Sequence, residues 1–357
     1  MDSIIKRGKK ILPSVSPTTV FQVCALLFLC LLLNLLVFTI TSLKTFNLQP
    51  PPPEDDGSLF RAASQVNPSP TNPKKLAFLF LTTAPLPFAP LWELFFSQSP
   101  PQLFNIYIHA DPTKPYHPPF SGVFANRVIP SKPTKRLTPT LASAARRLLA
   151  HALLHDPANA AFALLSPSCI PLHSFPFTYR TLTRSNLSFI EVLDNEKGAY
   201  YRWAARGDDA MLPEVKLENF RIGSQFWALT RAHARLVASD DDGIWRRFNE
   251  SCLRYRSSCY VEEYYFPTLV NMVDPRGAVS ATLTHVRWHV GDHPVMYNAS
   301  DVGPELIRYM RDSRPRYGYD YFRVNGSRVD PFLFARKFSP GCIHALMGIA
   351  KEVILKD

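Results

Sequence analysis

The chain has 357 residues, 46% of them hydrophobic, which is enough for one large or two ordinary domains with a buried core. Its formal net charge is +11, yet no nucleic-acid-binding motif, P-loop or dinucleotide fingerprint accompanies this charge. The sequence therefore argues against those three classes. Its basic residues fit the phosphates of a nucleotide donor or an anionic polysaccharide better.

Residues 20–43 form an uncharged run that is rich in Leu, Phe and Val. At about 1.5 Å per residue this run is long enough to cross a hydrocarbon core, which predicts a transmembrane signal anchor. The basic residues within 1–19 place that tail in the cytosol and everything after Leu43 across the membrane. A cleaved signal peptide is the alternative, but the run exceeds a usual h-region and no small-x-small site follows it.

The part beyond the predicted anchor fits a secretory route. It carries N-x-S sequons at Asn186, Asn249, Asn298 and Asn325. Four cysteines outside the span would lie in an oxidising compartment, and the short spacing favours a Cys252–Cys259 disulfide. Cys169 and Cys342 are left either paired or free, and no Cys/His spacing indicates zinc.

Prolines dominate residues 44–75, which predicts an extended stem before a folded domain at 76–357. Within that domain, short apolar strands alternate with helices. The predicted strands are 76–81, 104–108, 162–165, 189–193, 225–229 and 282–288, with a strand or loop at 332–338; the helices are 89–96, 143–155, 231–237, 244–248 and 342–355. This order predicts an α/β fold with a mainly parallel central sheet, whose ligands bind beyond the carboxyl ends of the strands.

Two adjacent carboxylates, Glu262 and Glu263, lie inside an aromatic run that follows Cys259. Apolar surroundings raise a carboxyl pKa by desolvation, which suits the group to proton transfer near neutral pH. The alternative is a solvated pair on the exposed face of a helix. The residues alone leave both interpretations open.

Nine short blocks, taken in order, resemble the plant branch of the core-2/I-branching β-1,6-N-acetylglucosaminyltransferase family, glycosyltransferase family 14. The blocks are FLFL (78–81), LW (91–92), YIHAD (107–111), IPSK (129–132), AARRLL (144–149), LLSPSCIPL (164–172), RIGSQF (221–226), EEYYFPT (262–268) and LFARKF (333–338). The resemblance extends from Leu76 to the C-terminus. It implies a GT-A-like fold, an inverting transfer from a UDP-sugar and no metal or other cofactor.

The resemblance also implies roles for individual residues. Glu263 matches the family's catalytic base, with Glu262 and Tyr264 standing where the family has Asp and His. Lys337 matches a lysine that stabilises the departing diphosphate, and Arg328 is the candidate for a second, upstream cation. Two further donor contacts are Leu81 and Asp111, and two acceptor contacts are Trp288 and Arg206.

A metal-binding D-x-D motif is the alternative interpretation of Asp111, but residue 109 is His. The run Asp240–Asp242 is typical of a helix N-cap cluster instead. The chain departs from the plant pattern at Arg136-Leu137, where the family usually has Trp-Gly, and at Ala145, where it has Glu. These departures could change the donor preference or reduce activity.

We therefore expect a type II Golgi membrane glycosyltransferase that transfers a sugar, GlcNAc first among the candidates, to a glycan or glycoprotein acceptor. UDP-glucuronic acid and UDP-xylose are alternative donors. A catalytically silent glycan-binding or scaffold protein on the same fold is the competing class. Nucleic acid is not an expected partner.

Overall fold

The computed structural model describes residue 22 and residues 26–34, 55–194, 196–255, 257, 259–288, 293–318 and 330–357. The chain divides into two compact units, Met1–Pro52 and Pro53–Asp357. In the first unit, residues 22 and 26–34 are helical. Within the described part of the chain, no helix combines the length and the apolar character that a membrane crossing requires. The remainder of the predicted anchor at 20–43 lies outside the described residues.

The second unit alternates helices with strands. Its helices are α1 (Asp56–Ser64), α2 (Ala89–Ser97), α3 (Thr140–His155), α4 (Phe175–Arg184), α5 (Ala199–Trp203), α6 (Arg231–Ser239), α7 (Trp245–Phe248), α8 (Val261–Val273), α9 (Pro304–Asp312) and α10 (Ile343–Ile349). Its strands are β1 (Lys75–Thr82), β2 (Phe104–Ala110), β3 (Asn159–Leu165), β4 (Ile170–Pro171), β5 (Ser188–Phe189), β6 (Ala228–Thr230), β7 (Ala278–Val279), β8 (Thr284–Val286) and β9 (Phe334–Arg336). A π-helical segment, Ala350–Ile354, continues α10.

The larger sheet has six strands in the order β2-β1-β3-β6-β5-β7. Strand β1 is parallel to both β2 and β3, and β5 is parallel to β7, whereas β6 is antiparallel to β3 and β5. A smaller sheet has the order β4-β9-β8. The mixed α/β architecture with a mainly parallel central sheet is the one predicted.

Both faces of the larger sheet are buried, and strand β1 shows why. Its alternate residues Ala77, Leu79 and Leu81 join one apolar cluster, while Leu76, Phe78 and Phe80 join the other. Since side chains alternate across a strand, a strand between two helical layers must be apolar at every position. The continuous apolar run of β1 therefore specifies its central place in the sheet.

The strands beyond Tyr179 are shorter than the sequence predicts. The strand expected at 189–193 is only Ser188–Phe189, with Leu193 in an isolated bridge to Ile222. The strand expected at 225–229 begins at Ala228, and the one expected at 282–288 is Thr284–Val286.

Helix α1 lies within the segment predicted to be an extended stem. Asp55 caps it by accepting a hydrogen bond from the Ser58 N–H at 2.8 Å. Leu59, Phe60 and Ala63 are buried in the cluster that α3 and α6 also line. The prediction of an extended stem is therefore wrong for residues 56–64, because these apolar residues share one helical face and can be buried.

Candidate active site

The carboxyl ends of β1 and β2 carry the predicted donor residues. Leu81 stands opposite His109 in the β1–β2 pairing, and the Asp111 N–H donates to the Thr82 carbonyl at 3.1 Å. The Asp111 carboxylate accepts hydrogen bonds from the Thr113 N–H and hydroxyl at 2.9 and 2.7 Å and from the Thr134 N–H at 3.3 Å. Burial acts to raise the pKa of Asp111, but these bonds outweigh it and hold that pKa below its ordinary value.

Glu262 and Glu263 occupy the first turn of helix α8. Pro267 lies inside the same helix and has no N–H to donate to the carbonyl of the residue four positions earlier, which is Glu263. The Gly223 N–H donates to that carbonyl instead, at 2.8 Å. Pro267 thus frees a hydrogen-bond acceptor through which the neighbouring segment fixes the backbone of Glu263.

Gly223 also lets a third acidic residue approach. A Cβ atom added at Gly223 would lie 1.9 Å from the carbonyl oxygen of Glu191, so only glycine fits between the two backbones. Glu191 follows strand β5 and acts electrostatically on Glu263. The RIGSQF block, through Gly223, therefore joins the Glu191 segment to the start of α8.

Burial raises the pKa of all three carboxyl groups. The pKa of Glu263 rises to about 7; burial is the main cause, Arg202 and Arg336 oppose the rise, and Glu191 adds to it. The pKa of Glu262 rises to about 8 and that of Glu191 to about 7, again chiefly through burial. Glu263 keeps partial exposure, whereas Glu262 is buried and its Oε2 has no hydrogen-bond partner among the described residues. Of the adjacent pair, Glu263 is thus the one that solvent or a ligand can reach.

Lys337 directly follows strand β9, and its carbonyl accepts a hydrogen bond from the Tyr297 N–H at 2.8 Å. Arg336, the last residue of β9, places its guanidinium 4.6 Å from the centre of the Phe226 ring. Burial lowers the pKa of Lys337, and the charges of Arg336 and Arg136 lower it further. These three cations therefore lie within electrostatic reach of one another, and Arg336 and Arg136 also act on Glu263.

The Arg136-Leu137 departure lies at this site. Arg136 is exposed, and its guanidinium is 5.8 Å from the ring centre of Tyr260, which immediately precedes α8. Leu137 has a φ of 63°, a conformation that glycine adopts without strain and leucine seldom does. The loop thus keeps a glycine-type backbone at the position where the plant family usually has Gly.

Arg202, on the short helix α5, approaches α8 from another side. Its guanidinium is 5.5 Å from the ring centre of Tyr264, which is fully buried and packs against Phe220 at 5.5 Å. Tyr264 thus fills the core beneath the carboxylates and presents its ring to a cation that acts on Glu263.

The predicted acceptor residues are placed differently. Arg206 is 3% exposed, and its guanidinium donates to the backbone carbonyls of Glu250 and Phe248, both at 3.0 Å. This is a structural arrangement, and the geometry does not bring Arg206 to the open side of the site. Trp288 is exposed, which is compatible with stacking on a ligand. Arg328 lies outside the described residues.

The convergence of Glu191, Arg202 and Arg336 with Glu263 was not predicted from the sequence. Arg336 is the one with a sequence signal, because it immediately precedes Lys337 in the LFARKF block. Glu191 and Arg202 come from segments without a distinctive motif. Only the folded backbone around Gly223 and α5 shows their proximity to α8.

The predicted Cys252–Cys259 disulfide is present, and it closes the loop immediately before α8. Cys169 and Cys342 are both free and buried. Asp240 is the C-cap residue of α6, and the N-cap of α7 is Ile244, so the N-cap prediction for Asp240–Asp242 is wrong. The Asp240 carboxylate nevertheless accepts hydrogen bonds from the N–H groups of Ile244 and Trp245 at 2.9 and 3.0 Å. The described part of the chain contains no group of three or more His, Cys, Asp or Glu that could hold a metal ion.

Two comparisons with known proteins point to one family. A family model described as "Branch: Core-2/I-Branching enzyme" matches residues 76–311. This range includes α8 and the carboxyl ends of β1 and β2 but not β9. The protein "Glycosyltransferase BC10" of Oryza sativa subsp. japonica is 31% identical over 316 residues. That alignment covers 78% of this chain and 77% of the rice protein.

Proposed function

This chain belongs to the core-2/I-branching enzyme family and is a glycosyltransferase, and from that premise we propose that it transfers a sugar from a UDP-sugar to a glycan hydroxyl with inversion. The observation that carries the proposal is that Arg336, at the end of β9, and Arg136 both act electrostatically on one partly exposed carboxylate, Glu263. Such a transfer needs a base for the attacking hydroxyl and positive charge at the leaving diphosphate.

Glu263 is the proposed base. A pKa near 7 leaves a substantial deprotonated fraction at neutral pH while keeping the carboxylate basic enough to accept the hydroxyl proton. The hydrogen bond from the Gly223 N–H to the Glu263 carbonyl fixes the backbone of this residue, so its carboxylate extends from a fixed position. Glu262 supports the geometry of the turn as a buried neighbour and does not itself contact the acceptor.

Lys337, Arg336 and Arg136 are the proposed diphosphate ligands. Cations that repel one another gain stability when an anion binds between them. In this proposal they neutralise the leaving group without a divalent metal, and Arg328 is a further candidate. Leu81 and Asp111 would contact the nucleoside at the strand edge, and Trp288 would contact the acceptor sugar.

The proposed location is the Golgi lumen, with the chain anchored as a single-pass type II membrane protein. The support is the uncharged run at 20–43, its basic N-terminal flank and the sequons. Asn186, Asn249 and Asn298 are all exposed, so each is open to glycosylation. We expect residues 76–357 to be protected from protease in intact microsomes and to be digested once detergent is added.

GlcNAc is the first proposed donor sugar, with glucuronic acid and xylose as alternatives. The test is a screen of UDP-GlcNAc, UDP-glucuronic acid and UDP-xylose with the detergent-solubilised full-length protein, with and without EDTA, scored by UDP release and product mass. Transfer from one donor that persists in EDTA and is lost in Glu263→Gln is the expected result. UDP binding without turnover across all donors and acceptors would instead favour the silent glycan-binding protein.

A further inference from the structure

Three exposed tyrosines form a continuous aromatic surface beside α8. Tyr200 and Tyr201 on α5 are 49% and 54% exposed, and Tyr255, in the disulfide loop, is 46% exposed. The rings of Tyr200 and Tyr201 are 5.8 Å apart, and those of Tyr201 and Tyr255 are 5.2 Å apart. Aromatic rings grouped on the surface of a folded domain mark a site of interaction. We call Tyr200, Tyr201 and Tyr255 the tyrosine surface.

The tyrosine surface borders an open cavity of about 340 Å³. Tyr200 and Tyr201 line it together with Asp194, Glu196, Glu218 and Arg221. This volume falls at the lower end of the range of about 300–1,000 Å³ that is usual for ligand sites. The lining combines ring surfaces with hydrogen-bonding groups, which are the two features that recognise a sugar ring.

The charged groups of the cavity are compensated. Asp194 lies 3.7 Å from the Arg221 guanidinium, and Glu218 lies 3.7 Å from the Lys216 ammonium. Glu196 pairs with Arg316. A cavity whose charges are already balanced gives little advantage to a nucleotide, a basic peptide or an anionic membrane. Its oxygens and N–H groups can still exchange hydrogen bonds with neutral hydroxyls.

The cavity connects to the proposed catalytic carboxylate through two residues. Arg202 immediately follows Tyr201 on α5 and acts electrostatically on Glu263. Glu196 lines the cavity and acts on Glu191, which in turn acts on Glu263. Trp203, at the end of α5, anchors the helix by donating from its indole N–H to the Val215 carbonyl at 2.8 Å. Phe220 also lines the cavity and packs against Tyr264 at 5.5 Å, so the cavity adjoins α8.

We propose that the tyrosine surface and its cavity bind the distal sugars of a neutral oligosaccharide acceptor, while the reacting hydroxyl lies at Glu263. The apolar faces of the pyranose rings pack on the tyrosines, and their hydroxyls bond to the compensated carboxylates and to Arg221. The enzyme then prefers acceptors several sugars long to short ones. This inference rests on the proposed function for its catalytic readout, but the binding it describes does not require turnover.

The test compares the wild-type full-length protein with the double variant Tyr200→Ala/Tyr201→Ala. The probes are neutral β-linked oligosaccharides of glucose, galactose and xylose, from two to six units long. Transfer kinetics give the acceptor KM and the donor KM, and saturation-transfer NMR measures binding independently of turnover. Tyr309→Ala is the matched control, because Tyr309 is 53% exposed on α9 and outside the tyrosine surface.

In the wild-type protein, the acceptor KM should fall at least tenfold between two and six units for the favoured glycan. The double variant should lose that gain with an unchanged donor KM, whereas Tyr200→Phe/Tyr201→Phe and Tyr309→Ala should keep it. If the double variant does not fold, Tyr255→Ala provides the same comparison. Equal length dependence in the wild type and the variants would overturn the proposal.

The NMR arm separates this inference from the proposed function. If no donor supports transfer, length-dependent saturation of glycan protons that is lost in the tyrosine variants still supports the tyrosine surface. Binding that is equal in wild type and variants, or absent for every glycan, overturns it. Binding of tetralysine in preference to all the oligosaccharides would also overturn it, because a balanced cavity should not select a cation.

Discussion

Two sets of cations in this domain are held in opposite ways. On α3, Arg146 lies 4.1 Å from the Phe60 ring centre and 4.4 Å from that of Trp245, and it pairs with Asp241 at 3.3 Å. Its neighbour Arg147 pairs with Asp56 and donates to the Pro130 carbonyl at 2.6 Å. Carboxylates, carbonyls and rings thus compensate the charges of both arginines.

At the end of β9 the situation is reversed. Arg336 and Arg136 act electrostatically on Lys337, Arg136 also acts on Arg336, and the carboxylate that offsets Arg336 is the proposed base, Glu263. Buried or half-buried charges without partners are costly, so a protein retains them where a ligand supplies the missing charge. The balanced arginines thus join α1 to the domain, whereas the unbalanced cations at the end of β9 indicate an anion site.

The largest effect is expected from removing the base beside the unbalanced cations. Glu263→Gln should lower kcat by about 10²–10⁴-fold, the usual contribution of a general base, without abolishing UDP binding. In the wild type, kcat/KM for the acceptor should rise with pH to a plateau above about 7, because Glu263 must lose its proton first. Glu305→Gln, on the exposed side of α9, is the control. Full activity of Glu263→Gln would remove this residue from the mechanism.

A second experiment removes one of the two balanced arginines on α3. Arg146→Met should lower the free energy of unfolding by about 2–4 kcal/mol, because it removes three cation–ring contacts and the partner of Asp241. Urea unfolding measures this loss, and the Kd for UDP of the folded protein should stay the same. Arg308→Met is the matched control, because Arg308 also pairs with a carboxylate, Glu305, but at an exposed site. It should change the free energy of unfolding by only about 0.5 kcal/mol. A UDP affinity that falls with Arg146→Met would show that the two sets are not separate.

The smallest effect concerns Glu262 and the pH dependence of stability. Its folded-state pKa of about 8 lies above the ordinary 4.5, so the folded protein holds a proton that the unfolded chain loses. This contribution is fully present below pH 4.5 and is lost as the pH rises through 8. Buried histidines such as His109 have lowered pKa values, so they change the stability only at pH values below about 6.5.

Between pH 6.5 and 8, the free energy of unfolding of Glu262→Gln should therefore fall by about 2 kcal/mol less than that of the wild type. Urea midpoints measured across that range test this expectation, with Glu352→Gln as an exposed control. Parallel curves for wild type and Glu262→Gln would contradict the burial argument.

How much the sequence predicts depends on whether a signal is local. The alternating burial of β1 follows from its apolar run, and the ordered blocks lead to the family and to Glu263 and Lys337 as candidates. The helix at 56–64 was missed because the surrounding prolines outweighed its three buried apolar residues. Glu191 and Arg202 were missed because their role depends on proximity. Gly223 and Pro267 bring Glu191 close to Glu263, because Gly223 lies against the Glu191 backbone and bonds to the Glu263 carbonyl that Pro267 leaves free. Arg202 reaches α8 separately, through the ring of Tyr264.

The central claim is that the unbalanced cations hold a diphosphate without a metal. The most direct measurement is calorimetric titration of UDP into the full-length protein in EDTA, for wild type and for Arg336→Gln/Lys337→Gln, with Lys351→Gln as an exposed control. We predict binding to wild type and to the control, and a Kd at least 100-fold higher for the double variant, since each charge-assisted bond contributes about 1.5–3 kcal/mol. Equal affinity in the double variant, or wild-type binding that requires a divalent cation, would contradict the account.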